Sequence, residues 1–328
     1  MKFQLDANKP LDAICLGRAG VDLYANEHNV DFVDVTGFKK YVGGSSANIA
    51  VAMSTLDCKV GLITALSDDM LGDYVKQYMS SKGINTDGVQ TSPEGSRTSL
   101  AVTEIKADDC GVVIYRNNAA DLMLDAQQIS EDYVASAKML VLTGTAFAQE
   151  PSQSAAFKAI EYARANNTLV VLDLDYRAYS WESPEVAAEC MRKAASLSEV
   201  VIGNREEFDV LEHGMSISDP SDDNTAKRFL VENTQLIILK AGHLGSKTYS
   251  VEGDYIEQGI YPVDVVKPFA AGDSFAGSVL YAMINDLPIE QGLKMVAAAA
   301  SINVSSDNCS EAMPNVAQIE SFLETQIS

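Results

Sequence analysis

The sequence predicts an α/β protein with a doubly wound, mostly parallel sheet that is flanked by helices and carries a small β-sheet lid. Short β-rich runs alternate with longer segments of helical periodicity, and the β-rich runs are continuously apolar, as strands covered on both faces require. Two segments that break this alternation predict the lid. We expect residues 1–328 to form a single domain, with lid segments inserted at roughly 29–42 and 97–118.

Six apolar runs are predicted as strands of the main sheet, because parallel strands buried on both faces are rich in Val, Ile and Leu. They are AICLG (13–17), VGLITAL (60–66), MLVLTG (139–144), LVVLDLD (169–175), VVIGN (200–204) and LIILKAG (236–242). The intervening segments with helical spacing are 46–56, 69–83, 152–167, 183–198 and 224–233.

The second lid segment resembles a hairpin, since partial period-two alternation flanks the turn candidate ADDCG (107–111). Two interpretations of the lid remain open. It covers a site, or it forms an edge through which two copies of the chain make a homodimer.

Composition excludes several classes of partner. The 328 residues include 24 basic and 46 acidic ones, a formal charge of −22, so nucleic acid and anionic membranes are not expected partners. The five cysteines lie far apart and include no C-x-x-C pair, which indicates neither a disulfide framework nor a zinc cluster. The N-terminal residues lack the apolar core of a secretion signal, so a cytoplasmic location is expected.

The stretch KPFAAGDSFAGSVLYAMI (267–284) places one aspartate where a small-residue turn enters an apolar helix. Ala270, Ala271 and Gly272 would let an oxyanion approach the free backbone N–H groups of a helix N-terminus. Asp273 would then face an attacking hydroxyl and accept its proton. The alternative is structural, because aspartate is also a favoured N-cap.

The common nucleotide-binding motifs are missing. No two glycines are separated by a single residue, which excludes G-x-G-x-x-G, and the chain has no Gly-Lys dipeptide, which excludes a Walker A loop.

Two motifs identify a family. The chain resembles the ribokinase-like (PfkB) carbohydrate kinases through AAGD (270–273), in place of the usual G-A-G-D, and through the glycine pair in YVGGSSANIAVAMSTL (41–56). The resemblance implies that Asp273 is the catalytic base and that residues 270–272 belong to the anion hole. An alanine at position 270 is a departure: if this residue needs positive φ, the strain is about 1 kcal/mol or more.

Five further segments resemble the members of this family that phosphorylate the terminal hydroxyl of a six-carbon keto sugar acid in bacterial myo-inositol catabolism. Kinases for 2-keto-3-deoxygluconate, for fructose or for a nucleoside are alternatives within the superfamily. A sugar-binding regulatory protein without catalysis is an alternative of another class. The segments are GRAGVDLY (17–24), KYVGGSSANIA (40–50), YRNNAADLML (115–124), LTGTAFAQEPS (142–152) and LDLDYRAYSW (172–181).

The resemblance also implies substrate-binding residues. Asp22 would accept hydrogen bonds from sugar hydroxyls, Gly43 and Gly44 would let the backbone approach the sugar, and Asn48 offers both a donor and an acceptor. Turn stabilisation is the structural alternative for these four residues.

A substrate carboxylate requires a cation, because a buried anion without a partner is costly. Arg116 is the first candidate because it ends the presumed lid strand, and Arg177 and Arg18 are the others. A surface ion pair is the structural alternative for each arginine.

The resemblance implies ATP and Mg²⁺ as cofactors, with K⁺ as a further cofactor that many relatives use. Asn204 and Glu207 match the family's N-x-x-E, in which the glutamate contacts Mg²⁺ through water. The same spacing fits a helix capping box. Lys240, Gly242 and Gly245 would border the triphosphate, and residues 297–308, with Asn303, resemble the segment that packs against adenine.

Overall fold

The computed structural model describes residues 3–106, 110–231, 233–267, 269–306 and 308–326. The strands in these ranges are β1 (Leu11–Leu16), β2 (Gly20–His28), β3 (Phe38–Gly43), β4 (Val60–Leu66), β5 (Asn85–Thr91), β6 (Leu100–Ile105), β7 (Val112–Tyr115), β8 (Ala137–Thr143), β9 (Leu169–Asp173), β10 (Val200–Asn204), β11 (Leu236–Lys240), β12 (Ser246–Ser250) and β13 (Tyr255–Gln258). The α-helices are α1 (Ser45–Thr55), α2 (Met70–Ser81), α3 (Glu131–Ala135), α4 (Ser152–Ala165), α5 (Pro184–Ser196), α6 (Arg205–Glu212), α7 (Asp222–Phe229), α8 (Ala271–Ile284), α9 (Ile289–Val304) and α10 (Val316–Thr325).

A nine-stranded sheet forms the centre of the fold, in the order β13-β12-β11-β10-β9-β8-β1-β4-β5. The strands from β11 to β5 in this order pair in parallel, whereas β12 and β13 are antiparallel additions at one edge. The chain proceeds from β1 to β4 on one side and later returns to β8 on the other. Strand order therefore reverses between β1 and β8, which is where open α/β sheets bind ligands.

Two apolar layers cover the faces of this sheet. Along β1, Ile14 and Leu16 face the layer formed with α4, α5 and α6, whereas Ala13 and Cys15 face the layer formed with α1, α8 and α9. This alternation follows from the period of two in a strand. Both layers consist of buried side chains, and the predicted doubly wound α/β class is confirmed.

A second sheet of four strands stands apart from the first, in the order β3-β2-β6-β7. Strand β2 pairs in parallel with β6, and the two outer pairs are antiparallel. The predicted small sheet is therefore present, but it also contains residues 20–28, which precede the predicted lid segments. Residues 107–109 of the predicted ADDCG turn lie outside the described residues.

Sequence periodicity locates the buried strands well and the edge strands poorly. The six predicted strands of the main sheet correspond to β1, β4, β8, β9, β10 and β11, with ends that differ by no more than two residues. Strands β5, NTDGVQT, and β13 escaped prediction because they are edge strands that are half solvated and lack continuous apolar runs. Strand β12, SKTYS, is mostly buried between β11 and β13, but its polar sequence contains no apolar run. Within the described ranges, no helix is both long enough and apolar enough to cross a bilayer.

Candidate active site

A polar pocket of about 430 Å³ lies between the carboxyl edge of the main sheet and the small sheet. The small sheet contributes Ala101, Thr103, Val112 and Ile114 to its wall. The charged and amide side chains that line it are Arg18, Asp22, Asn48, Arg116, Asp175, Arg177 and Asp273. The structure thus brings together the candidate base and the sugar-binding candidates, with the exception of Gly43, which does not line the pocket.

A second pocket of about 480 Å³ lies on the other side of the α8 N-terminus. Lys240, Gly242 and Gly245 border it, as do Ala271 and Gly272 at the start of α8. Its remaining wall is largely apolar, with side chains from residues 260–265 and from one face of α9. Apolar walls beside an open helix N-terminus suit a flat aromatic base that carries anionic groups.

The turn that begins α8 separates the two pockets. Ala270 and Asp273 line the first pocket, and Ala271 and Gly272 line the second. Ala270 is the N-cap with φ 59° and ψ 2°, and no side chain caps the helix. The first N–H groups of α8 have no partner within the helix, so they can bind an anion.

Asp273 lies in the first turn of α8 and is not the N-cap, so the capping alternative does not describe it. Its carboxylate accepts a hydrogen bond from the Asn48 amide at 2.7 Å. Burial, reinforced by the negative charge of Asp175, raises the pKa of Asp273 to about 6, whereas Asn48, Lys240 and Arg177 oppose the increase. A carboxylate with a pKa near 6 is ionised at neutral pH and is a stronger base than an exposed aspartate.

Asp22 is 8% exposed and lies on β2, where its carboxylate is 3.5 Å from the Arg18 guanidinium. Burial raises its pKa, and Arg18 opposes the increase. A Cβ at Gly43 would overlap this carboxylate, and a Cβ at Gly44, which has φ 100°, would overlap the Arg18 carbonyl. Gly43 is therefore required by close packing against Asp22, and Gly44 by its positive φ and by close packing against the Arg18 backbone.

The three candidate arginines differ in how their guanidinium groups are bound. Arg116 is 7% exposed and donates to Asp121 at 2.9 Å, to Ser180 at 3.2 Å and to the Thr145 carbonyl at 3.0 Å. Most of its hydrogen-bonding capacity is thus used within the protein. By contrast, the side chain of Arg177 is 44% exposed in the same pocket.

Arg177 pairs with Asp175 at 2.9 Å, and Asp175 is the first cause of the raised pKa of this arginine. Arg18 pairs weakly with Asp22 and donates to Ser99 at 2.9 Å. Arg177 therefore has the guanidinium group most available to a carboxylate ligand in this pocket.

A charged cluster lies at the carboxyl ends of β9, β10 and β11. The Lys240 ammonium is 3.2 Å from Asp173 and 3.8 Å from Glu207, and a Cβ at Gly272 would lie 3.6 Å from it. Burial alone would lower the pKa of Lys240, but the two carboxylates raise it above its usual value. A charged ammonium is thus held beside the start of α8.

Asn204 and Glu207 form a capping box at the start of α6, with both reciprocal hydrogen bonds at 2.8 Å. The structural alternative for this motif is therefore correct. It leaves Glu207 Oε1 facing Arg177 at 3.9 Å, so a second role for the carboxylate is compatible with the cap.

Asn303 does not reach the second pocket, which corrects its assignment to the nucleotide. Its side chain is fully buried and binds Lys267 at 3.1 Å and the Cys309 carbonyl at 3.2 Å. The reason is helical periodicity, because Ala297, Ala300 and Val304 line the pocket on one face of α9 and position 303 lies off that face.

Sequence reasoning missed Asp173 and Asp175. Thr145 donates to Asp175 at 3.0 Å, and Asp175 adopts φ 30°, so its carboxylate is fixed at the pocket wall. The signal was present in LDLDYR, since two acidic residues at the carboxyl end of a parallel strand are placed at the ligand-binding edge.

Comparison with known proteins gives consistent results. The model of the pfkB family carbohydrate kinases matches residues 11–316. A 5-dehydro-2-deoxygluconokinase of Photobacterium profundum is 53% identical over 325 residues, covering 99% of this chain and 98% of that protein. A protein of the same name from Geobacillus kaustophilus is 45% identical over 320 residues, covering 97% and 95%. A fructokinase with bound ATP from Xylella fastidiosa shares the fold, with TM-score 0.85 at 24% identity, over 97% of this chain and 99% of that one.

Proposed function

The chain belongs to the pfkB family of carbohydrate kinases, and from this premise we propose that it transfers the γ-phosphoryl group of ATP to the terminal hydroxyl of 5-dehydro-2-deoxy-D-gluconate. One observation carries the proposal. The Asp273 carboxylate lines a polar pocket sized for a sugar acid, and the same turn of α8 lines, through Ala271 and Gly272, an apolar pocket sized for a nucleoside.

Each pocket contributes its own part of the reaction. The substrate hydroxyl gives its proton to Asp273 as its oxygen attacks the γ-phosphorus, and the bond from that phosphorus to the bridging oxygen breaks to release ADP. Backbone N–H groups from Ala271 to Asp273, with the Lys240 ammonium beside them, stabilise the charge on the transferring oxygens. Asp22 and Asn48 orient the sugar hydroxyls, and Asn48 Oδ1 has no hydrogen-bond partner among the described residues.

Mg²⁺ is the proposed metal. The side chains of Glu207 and Asp173 supply hard oxygens near Lys240, which fits a cation that keeps several of its waters. Within the described ranges, no group of three or more His, Cys, Asp or Glu residues is arranged to hold a metal directly. When bound with ATP, Mg²⁺ neutralises charge on the phosphates.

We propose that the protein acts in the cytoplasm, where ATP is available. We also propose that it forms a homodimer through the small sheet. Its edge strands expose apolar side chains, with Val113 at 55%, Tyr115 at 60% and Phe38 at 38%. Light scattering of Val113→Lys beside the parent protein tests the dimer, which the added charge should dissociate.

A coupled ADP-release assay tests the reaction. The panel contains 5-dehydro-2-deoxygluconate, 2-keto-3-deoxygluconate, fructose and adenosine, each with Mg·ATP, and the first is expected to give the highest kcat/KM. Faster turnover of another compound would identify that compound as the substrate in place of 5-dehydro-2-deoxygluconate. Thermal shifts with the sugar acids but no ADP release would establish a binding protein instead of an enzyme.

A further inference from the structure

A lysine side chain is buried directly behind the turn that begins α8. Lys267 is 0% exposed. Its ammonium donates to the Phe269 carbonyl at 2.7 Å and to Asn303 Oδ1 at 3.1 Å, and the Asn303 carbonyl lies at 3.4 Å. Because lysine is almost never fully buried, its contacts have to offset a large desolvation cost. These contacts connect the turn to the end of α9.

The same region is held by backbone bonds. The N–H groups of Val266 and Lys267 donate to the Val304 carbonyl at 2.9 Å and 3.3 Å. The Asn303 amide donates onward to the Cys309 carbonyl. Cys309 lines the polar pocket with Phe269 and Ala270, so the ammonium lies behind a wall of that pocket.

The Phe269 carbonyl links the ammonium to the helix N-terminus. In a planar trans peptide the carbonyl oxygen and the following N–H point in opposite directions. An ammonium that holds the Phe269 oxygen therefore also fixes the direction of the Ala270 N–H. Ala270 itself is left-handed, with φ 59°, a conformation that is strained for an alanine, so the turn needs contacts that hold it in place.

We infer that Lys267 is a positioning residue for phosphoryl transfer, a tethered monovalent cation that holds the Phe269 carbonyl and thereby the N–H groups at the start of α8. The inference rests on the proposed function. Ammonium and K⁺ carry the same charge and both bind carbonyl oxygens. Because the position beside the Phe269 oxygen is occupied by the side chain, the chain needs no potassium ion to order this turn.

The first test uses the wild-type chain with the sugar of highest activity, in potassium, sodium and tetramethylammonium buffers of equal ionic strength. We expect kcat to agree within about twofold, well below the effect of losing one anion-hole donor. Stimulation of about tenfold or more by potassium would overturn the inference, because an empty cation position would then exist. Activity in any of these buffers reports on the proposed function separately.

The second test uses Lys267→Met, which keeps most of the side-chain volume, and Lys267→Ala, which opens a space. We expect kcat to fall about tenfold or more, with the KM values for ATP and sugar nearly unchanged. Ammonium or methylammonium should restore part of the kcat of Lys267→Ala and leave the wild type unaffected. A kcat of Lys267→Met equal to that of the wild type would refute the inference.

Lys9→Met is the matched control. The Lys9 ammonium also donates to a backbone carbonyl, that of Asn166 at 2.9 Å, but it lies before β1, away from the carboxyl edge of the sheet. Its loss should lower the melting temperature without changing kcat. If neither Lys267 variant folds, the comparison of wild-type activity in the three buffers still decides the question.

Discussion

The side-chain amide of Asn48 donates to the Asp273 carboxylate at 2.7 Å, across 225 positions of sequence. This bond joins α1, which follows the small sheet, to α8, which carries the candidate base. The two helices approach closely because Gly277 leaves room for Ala52, whose Cβ would overlap a Cβ placed on the glycine. The candidate base is therefore held by the helix that carries Asn48, a residue proposed to bind the sugar.

Replacement of the base is the most direct test of this arrangement. Asp273→Asn should fold as the parent does and still bind ATP, but its turnover should fall by about 10²- to 10⁴-fold, the usual contribution of a general base. Steady-state kinetics and ATP-induced thermal shifts measure the two properties. Near-parent turnover would remove Asp273 from the mechanism.

The pH dependence of kcat/KM, which reports the pKa values of the free enzyme, should show one acidic limb. Because burial and Asp175 raise the pKa of Asp273 to about 6, the base is ionised and active above this pH and becomes protonated and inactive below it. A pH profile of the wild type from 4.5 to 9 measures this limb. A profile that is flat through about pH 6 would show that another group is the base.

Two variants should move that limb in opposite directions. Asp175→Asn removes a negative charge that raises the pKa of Asp273, so the limb should move to lower pH. Asn48→Ala removes a hydrogen bond that stabilises the ionised form, so the limb should move to higher pH. If the acidic limbs of the two variants moved in the same direction, the assignment of the limb to Asp273 would be contradicted.

Variants of Arg177 and Arg116 should have different effects, the first on substrate binding and the second on the stability of the fold. Arg177→Met is expected to raise KM for sugar acids by about tenfold or more, the value of a charge-assisted hydrogen bond, and to leave KM for the neutral sugar fructose nearly unchanged. Arg116→Met leaves the Asp121 carboxylate buried without its cation, so it should destabilise the fold by about 3–5 kcal/mol. Denaturant unfolding and substrate kinetics measure the two effects, and the reverse pattern would make Arg116 the carboxylate ligand.

These outcomes bear on what a sequence can predict. The chain order of apolar runs predicts the parallel sheet, and a parallel sheet places its strand ends at one edge, so Lys240 could be assigned to the ligand-binding edge. Asp22 and Asp273 could be assigned to the same region only through the family motifs in which they occur. The partners of Arg116 could not be predicted from the sequence, because Thr145 and Ser180 contact it from loops whose paths depend on tertiary packing. Likewise, an amide in a small-residue helix gives no sign of which face will be buried, so Asn303 was assigned to the nucleotide.

The alanine at position 270 provides a stability test. Since φ is 59° there, Ala270→Gly should relieve more strain than glycine costs in unfolded-state entropy, so the melting temperature should rise, with turnover unchanged. Ala241→Gly is the control, because Ala241 has φ −114° and gains only chain entropy in the unfolded state. A fall in the melting temperature of Ala270→Gly similar to that of the control would indicate that the turn is not strained.

The composition of the polar pocket suggests how such a protein could acquire a new substrate. Ala101, Thr103, Val112 and Ile114 line this pocket from the small sheet, whereas the groups proposed to act on the phosphoryl donor lie at the edge of the main sheet. Substitutions on the small sheet can therefore reshape the cavity for a different sugar while leaving the chemistry intact. Divergence of specificity within this fold is expected to accumulate there first.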